Sequence, residues 1–233
     1  MVIAVVDSLN ISNFDMEHYF KDDTNCKILT FKDRFTFEPE QWKIYFGKKT
    51  NRSLVEAKIL FTNTGLTLPL KRFSKNQTMQ TLEIAGLYGY NEKSDYKRDF
   101  VAEHLETFSN CFIQRLDVAV DFSKKIPRKV IVAIKKFRKK TFKIKGTGTT
   151  YFKSLKEKKT NTFFDVKIYD KATKENLNCI MQRLELCFKK PYFKNLTLAG
   201  IEMVYEKIIK TFKKYTGLEI QISPITAPIS YIV

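Results

Sequence analysis

The chain has 233 residues and a formal net charge of +17, and 43% of its residues are hydrophobic. This apolar content excludes a disordered basic tail, and the excess of Lys and Arg indicates an anionic partner, either nucleic acid or an anionic membrane surface. A Lys-rich, solvated surface without such a partner is the third interpretation. No apolar run is long enough to span a membrane, and the N-terminus lacks the basic lead of a signal peptide. We therefore expect a cytoplasmic protein whose partner is DNA rather than a membrane.

Alternating apolar residues predict a series of strands along the chain. In chain order the predicted strands are 2–6 (ending at Asp7), 42–47, 55–61, 66–73, 79–88 (broken near Gly86), 113–122, a short strand with a Gly-containing turn within 141–153, 162–170, 181–188 and the strand-like end 218–233. Pro69 suggests that 66–73 lies at a sheet edge, because proline has no N–H to donate.

Helical spacing of apolar residues predicts three helices, at 94–110, 127–140 and 195–215. Short turns between the strands favour antiparallel pairing, with the helices packed on the sheet. The predicted fold is therefore α+β, a mainly antiparallel central sheet flanked by helices, forming one domain over residues 1–233. The uncharged end of the chain fits either a core strand or an interface strand of a homodimer.

Acidic residues recur on the polar face of three predicted strands. In the strand 113–122, Asp117 and Asp121 share one face with Arg115, while the apolar residues take the other. Glu83 and Glu185 hold similar positions in their own strands. Carboxylates that converge in one sheet would suit Mg²⁺ or Mn²⁺. The alternative is a set of solvent-facing strands with a simple Arg–Asp pair.

A tyrosine lies between two lysines near the end of the strand 162–170. Lys167, Tyr169 and Lys171 are predicted to share a face. A cation and a metal beside a tyrosine hydroxyl would favour its use as a nucleophile on a phosphodiester. The alternative is a tyrosine packed at a strand end.

Other classes of chemistry find little support in the sequence. The two histidines, His18 and His104, are too far apart for a paired-His zinc motif, and there is no Walker-type loop. The four cysteines, at positions 26, 111, 179 and 187, form no Cys-x-x-Cys pair and are expected to be reduced thiols.

The segment 124–159 is dense in Lys and Arg, and its predicted helix is amphipathic. A basic amphipathic helix binds either DNA phosphates or a membrane surface, and a solvated face is the third interpretation. The predicted DNA-binding residues are Lys124, Lys125, Arg128, Lys129, Lys135, Lys136, Arg138, Lys139, Lys140, Lys153 and Lys156.

Five segments, in order, resemble the replication-initiation factor family of rolling-circle plasmids and filamentous phages. They are VVDSLNIS (5–12), TLEIAGLYGY (81–90), RLDVAVDF (115–122), GTTYFKSLKEKKTNTFFDVKIYDKATKE (148–175) and RLELCFKK (183–190). The hairpin departs from the family pattern, because Phe152, Lys153 and Ser154 replace the usual Gly-containing sequence.

The resemblance implies an initiator that nicks origin DNA of a plasmid or phage. A tyrosine, here Tyr169, would form a 5′-phosphotyrosine link with the help of Mg²⁺ or Mn²⁺ and leave a 3′-hydroxyl for a host polymerase, with a host helicase as a further partner. Lys171 would assist Tyr169, and Arg115 and Arg183 would hold the acids or contact the scissile phosphate. The implied metal ligands are Asp117, Asp121, Glu83, Glu185 and Asp7.

Two other functions remain open at this stage. One is a non-catalytic DNA-binding module with the same fold. The other is a basic protein that binds membrane surfaces through 127–140 and the apolar C-terminal segment.

Overall fold

The computed structural model describes residues 1–14, 26–30, 47–49, 54–61, 67–73, 80–138, 140–144, 148–153 and 163–225. The described strands are β1 (Val2–Phe14), β2 (Cys26–Thr30), β3 (Gly47–Lys49), β4 (Leu54–Phe61), β5 (Thr67–Phe73), β6 (Gln80–Ala85), β7 (Phe112–Phe122), β8 (Lys140–Lys143), β9 (Thr150–Lys153), β10 (Phe164–Asp170), β11 (Gln182–Lys189) and β12 (Ile220–Ile222). The described helices are α1 (Glu92–Glu103), α2 (Arg128–Phe137), α3 (Lys171–Glu175), α4 (Lys190–Phe193) and α5 (Glu202–Thr216), with a 3₁₀ turn at Leu198–Gly200.

The strands form one large, mainly antiparallel sheet. Its order is β2-β4-β5-β6-β1-β7-β11-β10-β9-β8, with β3 paired to β4 and β12 paired in parallel to β1. The predicted sheet flanked by helices is therefore confirmed. Strands β1, β7, β11 and β10 lie side by side, so residues from distant parts of the sequence meet there.

The apolar face of these central strands carries the core. Leu116, Val118 and Val120 of β7 are fully buried, as are Leu184 and Leu186 of β11. Each such side chain contributes about 1.5–3 kcal/mol on burial. Alternation of side chains along each strand then places the intervening polar residues on the opposite face of the sheet.

Helices α2 and α5 pack against this apolar face. Tyr215 of α5 contacts Phe164 of β10 edge-on and Phe137 of α2 at a tilt, with ring centroids 4.8 Å apart in each case. Val130 and Ile134 form the buried side of α2. The basic helix predicted from the sequence therefore covers the apolar side of the sheet.

Several predicted boundaries differ from the structure. The first strand runs to Phe14 rather than ending at Asp7, because Asp7 and Ser8 are buried within the sheet. The predicted helix 94–110 ends at Glu103. The turns that follow bring Phe108 against Phe100, with ring centroids 5.7 Å apart. This contact explains why the two phenylalanines have a helix-like spacing although the helix does not reach Phe108.

The edge position predicted for Pro69 is wrong, since β5 has neighbours on both sides. Pro69 pairs with Lys58 of β4, whereas the pairing with β6 begins at Leu70. Pro69 therefore lies one residue before the hydrogen-bonded pairing of β5 with β6, where a missing N–H would break a bond.

The structure bears on two predictions near the C-terminus. The predicted helix 195–215 begins only at Glu202, after the 3₁₀ turn. Within the segment 218–233, residues Ile220–Ile222 pair with Val2–Ala4 of the same chain. Residues 226–233 lie outside the described residues, as does the predicted strand 42–47 apart from Gly47.

Four described elements had no counterpart in the sequence prediction: β2, α3, α4 and one of the pair β8 and β9, since a single short strand was predicted within 141–153. Cys111, Cys179 and Cys187 are free thiols, of which Cys111 and Cys187 are buried and Cys179 is exposed. In the part of the chain that the structure describes, no helix is long and apolar enough to cross a membrane.

Candidate functional site

The candidate site lies on the polar face of β1, β7, β11 and β10. Antiparallel register places Arg183 of β11 opposite Asp121 of β7 and Tyr169 of β10, and places Glu185 opposite Lys167. Paired residues point to the same face of a sheet, so these side chains form two neighbouring cross-strand rows. The first row joins Asp121 to Arg183, which are 62 positions apart in the sequence.

A bulge in β1 adds a further acid to this face. Val6 pairs with Val118 and Ser8 with Asp117, so Asp7 is the extra residue between them. Bulges redirect side chains and are frequent beside active sites. Asp7 is buried and accepts a hydrogen bond from the backbone N–H of Tyr88, at 3.3 Å.

Arg183 is fully buried and binds two of the predicted acids. Its Nε donates to Asp121 at 2.6 Å, its Nη2 donates to the other oxygen of Asp121 and to the Tyr88 carbonyl, and its Nη1 donates to Asp7. Burial by itself raises the pKa of Asp7, but the nearby cations, Arg183 foremost, outweigh it and lower that pKa to about 2. Asp7 and Asp121 thus bind the same buried guanidinium.

A second cluster of acids lies around Asp117 and Glu185, which are both buried. Arg115 holds Asp117 with two hydrogen bonds, at 2.8 and 2.7 Å. The ammonium of Lys167 contacts Glu185 and lies 3.5 Å from Asp117. The predicted Arg–Asp pair is therefore present, but Asp117 is only 1% exposed and the strand does not face solvent at this point.

Asp117 and Glu185 also meet the thiol of Cys187, and one ligand atom from each of the three lies within 4.8 Å of the others. Among the described residues this is the group that could hold a metal ion. Burial, followed by the Asp117 carboxylate, raises the pKa of the Cys187 thiol well above its usual range. A hard cation prefers carboxylate oxygens to sulfur, so the two carboxylates are the expected ligands for such an ion.

The hydroxyl of Tyr169 donates a hydrogen bond to Glu185. Burial, together with the Glu185 carboxylate, raises the pKa of the Tyr169 phenol well above its usual range. Burial and the Asp7 charge also raise the pKa of Glu185, despite the opposing effect of Lys167. Because both pKa values are raised, Tyr169 and Glu185 together retain the proton of their hydrogen bond, in which the phenol is the donor and the carboxylate the acceptor.

Tyr169 lines a cleft with a volume of about 740 Å³. The cleft is lined by Gly148, Thr149, Tyr151, Lys167, Tyr169, Asp170, Thr173 and Lys174. The ammonium groups of Lys174 and Lys167 lie 4.9 and 5.9 Å from the centroid of the Tyr169 ring. The cleft therefore places positive charge beside Tyr169, which is only 5% exposed.

Lys171 begins α3 and is almost completely buried, at 1% exposure. Its ammonium donates to Glu175 at 2.8 Å, and Glu175 also accepts from Asn91, the N-cap of α1. Burial and the charge of Arg183 lower the pKa of Lys171. This chain of contacts links α3 to the start of α1.

Glu83 lies apart from the other predicted acids. It sits in β6, on the far side of β1 from β7, and its carboxylate accepts a hydrogen bond from Asn10 at 3.3 Å. Glu83 is not a member of the group formed by Asp117, Glu185 and Cys187.

The predicted DNA-binding residues fall into separate parts of the fold. The prediction that Arg138 contacts DNA is wrong, because Arg138 is buried. Its guanidinium donates to the Phe164 carbonyl and lies 4.5 Å from the centroid of the Phe164 ring. Lys139 and Lys156 lie outside the described residues, and Lys153 is described only as part of the backbone of β9. The exposed members are Lys124, Lys125, Arg128, Lys129, Lys135, Lys136 and Lys140.

The fold is similar to that of a solved structure of a rolling-circle replication initiator protein from Geobacillus stearothermophilus. The TM-score is 0.54 and the sequence identity is 15%, with 91% of this chain and 85% of that chain covered. No protein-family model and no curated protein sequence matches the chain. At this identity the likeness is one of fold, an α+β arrangement built on a large antiparallel sheet.

Four residues of the site were absent from the predicted set: Lys167 as a partner of the acids, Cys187, Tyr90 and Lys174. Alternation had already placed Lys167 on the same face as Tyr169, and Cys187 shares a face with Glu185 because it lies two residues further along β11. The hydroxyl of Tyr90 donates to Asp121 at 3.1 Å, a contact that depends on the turn after β6 and carries no local sequence signal.

Proposed function

We propose that this chain is a rolling-circle replication initiator, which binds origin DNA of a plasmid or phage and cuts one strand by attack of Tyr169. The observation that carries the proposal is the hydrogen bond from the Tyr169 hydroxyl to buried Glu185, at a cleft that Lys167 and Lys174 also line. The likeness in fold to a rolling-circle initiator supports it. So does the net charge of +17, which favours a polyanionic partner.

In the proposed step the Tyr169 oxygen attacks the scissile phosphorus while its proton passes to Glu185. The new bond joins phosphorus to the tyrosine oxygen, and the bond from phosphorus to the 3′ oxygen breaks. The departing oxygen takes a proton from solvent and becomes a 3′-hydroxyl. The protein is left with a 5′-phosphotyrosine link, and a host polymerase with its helicase would extend the free end.

Positive charge near Tyr169 would stabilise the phosphoryl group during transfer. Lys174 and Lys167 line the cleft itself, whereas Lys171 is buried behind it. Fixed cations directed at developing negative charge are among the strongest catalytic devices in a partly dehydrated site. Arg183 and Arg115 are proposed to position the acids rather than to contact DNA, since their guanidinium groups already bind Asp121 and Asp117.

The proposed metal ligands are Asp117 and Glu185, whose oxygens suit Mg²⁺ or Mn²⁺. We leave out Asp7 and Asp121 because Arg183 binds both, and Glu83 because it lies across β1. A bound divalent cation would neutralise charge on the phosphoryl group. Lys167 contacts both carboxylates, so its ammonium and a bound cation would compete for the same oxygens.

The test is a nicking assay on a supercoiled plasmid that carries the DNA surrounding the coding sequence of this chain. With MgCl₂ or MnCl₂, the wild type is expected to relax the plasmid and to become covalently attached to a labelled strand. Tyr169→Phe is expected to lose both activities. Tyr90→Phe is the matched control, because its hydroxyl bonds a different acid of the same site. An adduct formed by Tyr169→Phe would refute the nucleophile, and a wild type that never nicks would refute the function.

A non-catalytic DNA-binding module is the second candidate. It is favoured by the internal pairing of the site, since Asp7, Asp121, Asp117 and Glu185 all contact a buried or half-buried cation. The raised pKa of Tyr169 also opposes phenolate formation in this conformation. A protein that binds DNA with a steep salt dependence but never nicks it would support this candidate.

A further inference from the structure

One cross-strand row continues from the acidic cluster to the outer edge of the sheet. Glu185 of β11 pairs with Lys167 of β10, Lys167 with Tyr151 of β9, and Tyr151 with Phe142 of β8. Paired residues share a face, so an aromatic pair extends the polar face beyond the cleft. Strand β8 is the last strand in the sheet order on this side.

The aromatic pair is stacked and open to solvent. The rings of Phe142 and Tyr151 lie 5.3 Å apart at an interplanar angle of 25°. Phe142 is a large apolar side chain on an edge strand and is 43% exposed. Such edges are normally protected by charge or covered, because an exposed apolar edge promotes aggregation. The exposed part of the Phe142 ring therefore offers aromatic surface at this edge of the sheet.

The pair is continuous with the cleft of Tyr169. Tyr151 lines that cleft, and adjacent strands are about 4.8 Å apart, so Phe142 stands about 10 Å from the Lys167 position. The charges along this path are mainly positive: Lys140 is exposed on the same face as Phe142, and Lys167 and Lys174 line the cleft. The acid in the cleft lining, Asp170, caps α3 by accepting from the Thr173 N–H.

We infer that the Phe142–Tyr151 pair is a stacking subsite for an unpaired nucleobase of the strand that enters the Tyr169 cleft. This inference rests on the proposed function, because it supplies a base-holding surface for that same DNA. Aromatic rings bind unpaired bases without regard to sequence, and nearby lysines bind the phosphates. A base in a duplex is already stacked on its neighbours, so the subsite selects a single strand.

The experiment measures the binding of a labelled oligothymidylate by fluorescence anisotropy, in EDTA so that no cleavage occurs. Phe142→Ala is expected to weaken binding roughly tenfold or more, because stacking on one aromatic side chain is worth about that much per base. Phe142→Trp is expected to retain binding, and Phe142→Leu to lose it, since leucine keeps an apolar surface but has no ring. Binding to a blunt duplex of the same length should change little in all three variants.

The matched control is Phe137→Ala. Phe137 is 42% exposed, close to the value for Phe142, but it packs at a tilt against Tyr215 on the helical face of the sheet. It should bind the oligonucleotide as the wild type does. Thermal unfolding of each variant by circular dichroism confirms that the comparison is between folded proteins.

The inference is overturned if Phe142→Ala binds oligothymidylate with wild-type affinity, if Phe142→Leu binds as well as Phe142→Trp, or if the wild type does not bind single strands. Loss of binding to anionic vesicles by Phe142→Ala, with oligonucleotide binding unchanged, would assign the pair to a lipid surface instead. Nicking is scored separately. A wild type that does not nick but shows the Phe142 dependence would refute the proposed function and leave the stacking subsite in place.

Discussion

The hydroxyl of Tyr169 donates a hydrogen bond to the carboxylate of Glu185 on the neighbouring strand, and Lys167 contacts that same carboxylate. The contact joins a nucleophile candidate to a proton acceptor without an intervening residue. Triads in hydrolases use the same logic, in which a base holds the proton of the attacking group. Here the base is a carboxylate whose burial raises its pKa, which makes it a stronger proton acceptor than an exposed glutamate.

Glu185→Gln is expected to slow formation of the DNA adduct by roughly 10²–10⁴-fold, the usual contribution of a general base. DNA binding in EDTA should be unchanged, because Glu185 is buried and bonds only groups of the site. In the wild type, the rate should fall as the pH drops through the raised pKa of Glu185, since the protonated acid cannot accept the proton. Single-turnover adduct formation against pH measures both effects.

Glu83→Gln is the control for this variant, because Glu83 lies on the same sheet but bonds Asn10. It should retain nearly the wild-type rate. A Glu185→Gln protein that forms adduct at the wild-type rate would show that the proton goes elsewhere.

Asp7→Asn is expected to destabilise the fold by about 3–5 kcal/mol, because it leaves the fully buried Arg183 short of one of its two acids. Urea unfolding measures the change. Asp95→Asn is the control, since Asp95 pairs with Arg98 but is 52% exposed, and exposed pairs contribute about 0–1 kcal/mol. Equal effects of the two substitutions would mean that Arg183 does not depend on Asp7.

Acid should unfold the wild type partly through this same pair. The pKa of Asp7 is about 2 in the folded protein against an ordinary value of 3.8, so its contribution is complete above about pH 4 and is lost as the pH falls towards 2. The loss amounts to about 2 kcal/mol, at 1.36 kcal/mol for each pKa unit. Unfolding free energies measured from pH 5 to pH 2 should decline less steeply in Asp7→Asn than in the wild type. If the unfolding free energies of the two proteins decline equally, Asp7 is not the source of the acid sensitivity.

Much of the site could be predicted from the sequence, because side-chain alternation is a local property. Alternation alone placed Asp117 and Glu185 on the polar faces of their strands, and it placed Lys167 beside Tyr169. Which strands become neighbours is decided by packing over long distances, so the pairing of Arg183 with Asp7 had no local signal. The bulge that adds Asp7 to this face was equally hidden, as was the inward turn of Arg138.

Lys167→Met is expected to tighten binding of Mn²⁺ roughly tenfold, because an ammonium between Asp117 and Glu185 competes with a cation for the same oxygens. The methionine keeps an unbranched apolar stem of similar length. Calorimetric titration with MnCl₂ measures the affinity. Lys174→Met is the control, since the ammonium of Lys174 lies over the Tyr169 ring. Weaker Mn²⁺ binding by Lys167→Met would argue that the two carboxylates do not form the metal site.

The exposed lysines of α2 are expected to contact DNA phosphates from the helical side of the sheet. Replacing Lys135 and Lys136 by glutamine should lower the slope of log affinity against log salt by about 2, since each phosphate contact contributes about 0.9. Binding should weaken for every DNA sequence alike, because phosphate contacts do not read bases. Lys210→Gln with Lys213→Gln is the control on α5, where these lysines already pair with Glu206 and Glu219. If the control lowers the slope as much as the α2 variant does, the charge effect is general and α2 is not a distinct DNA-binding surface.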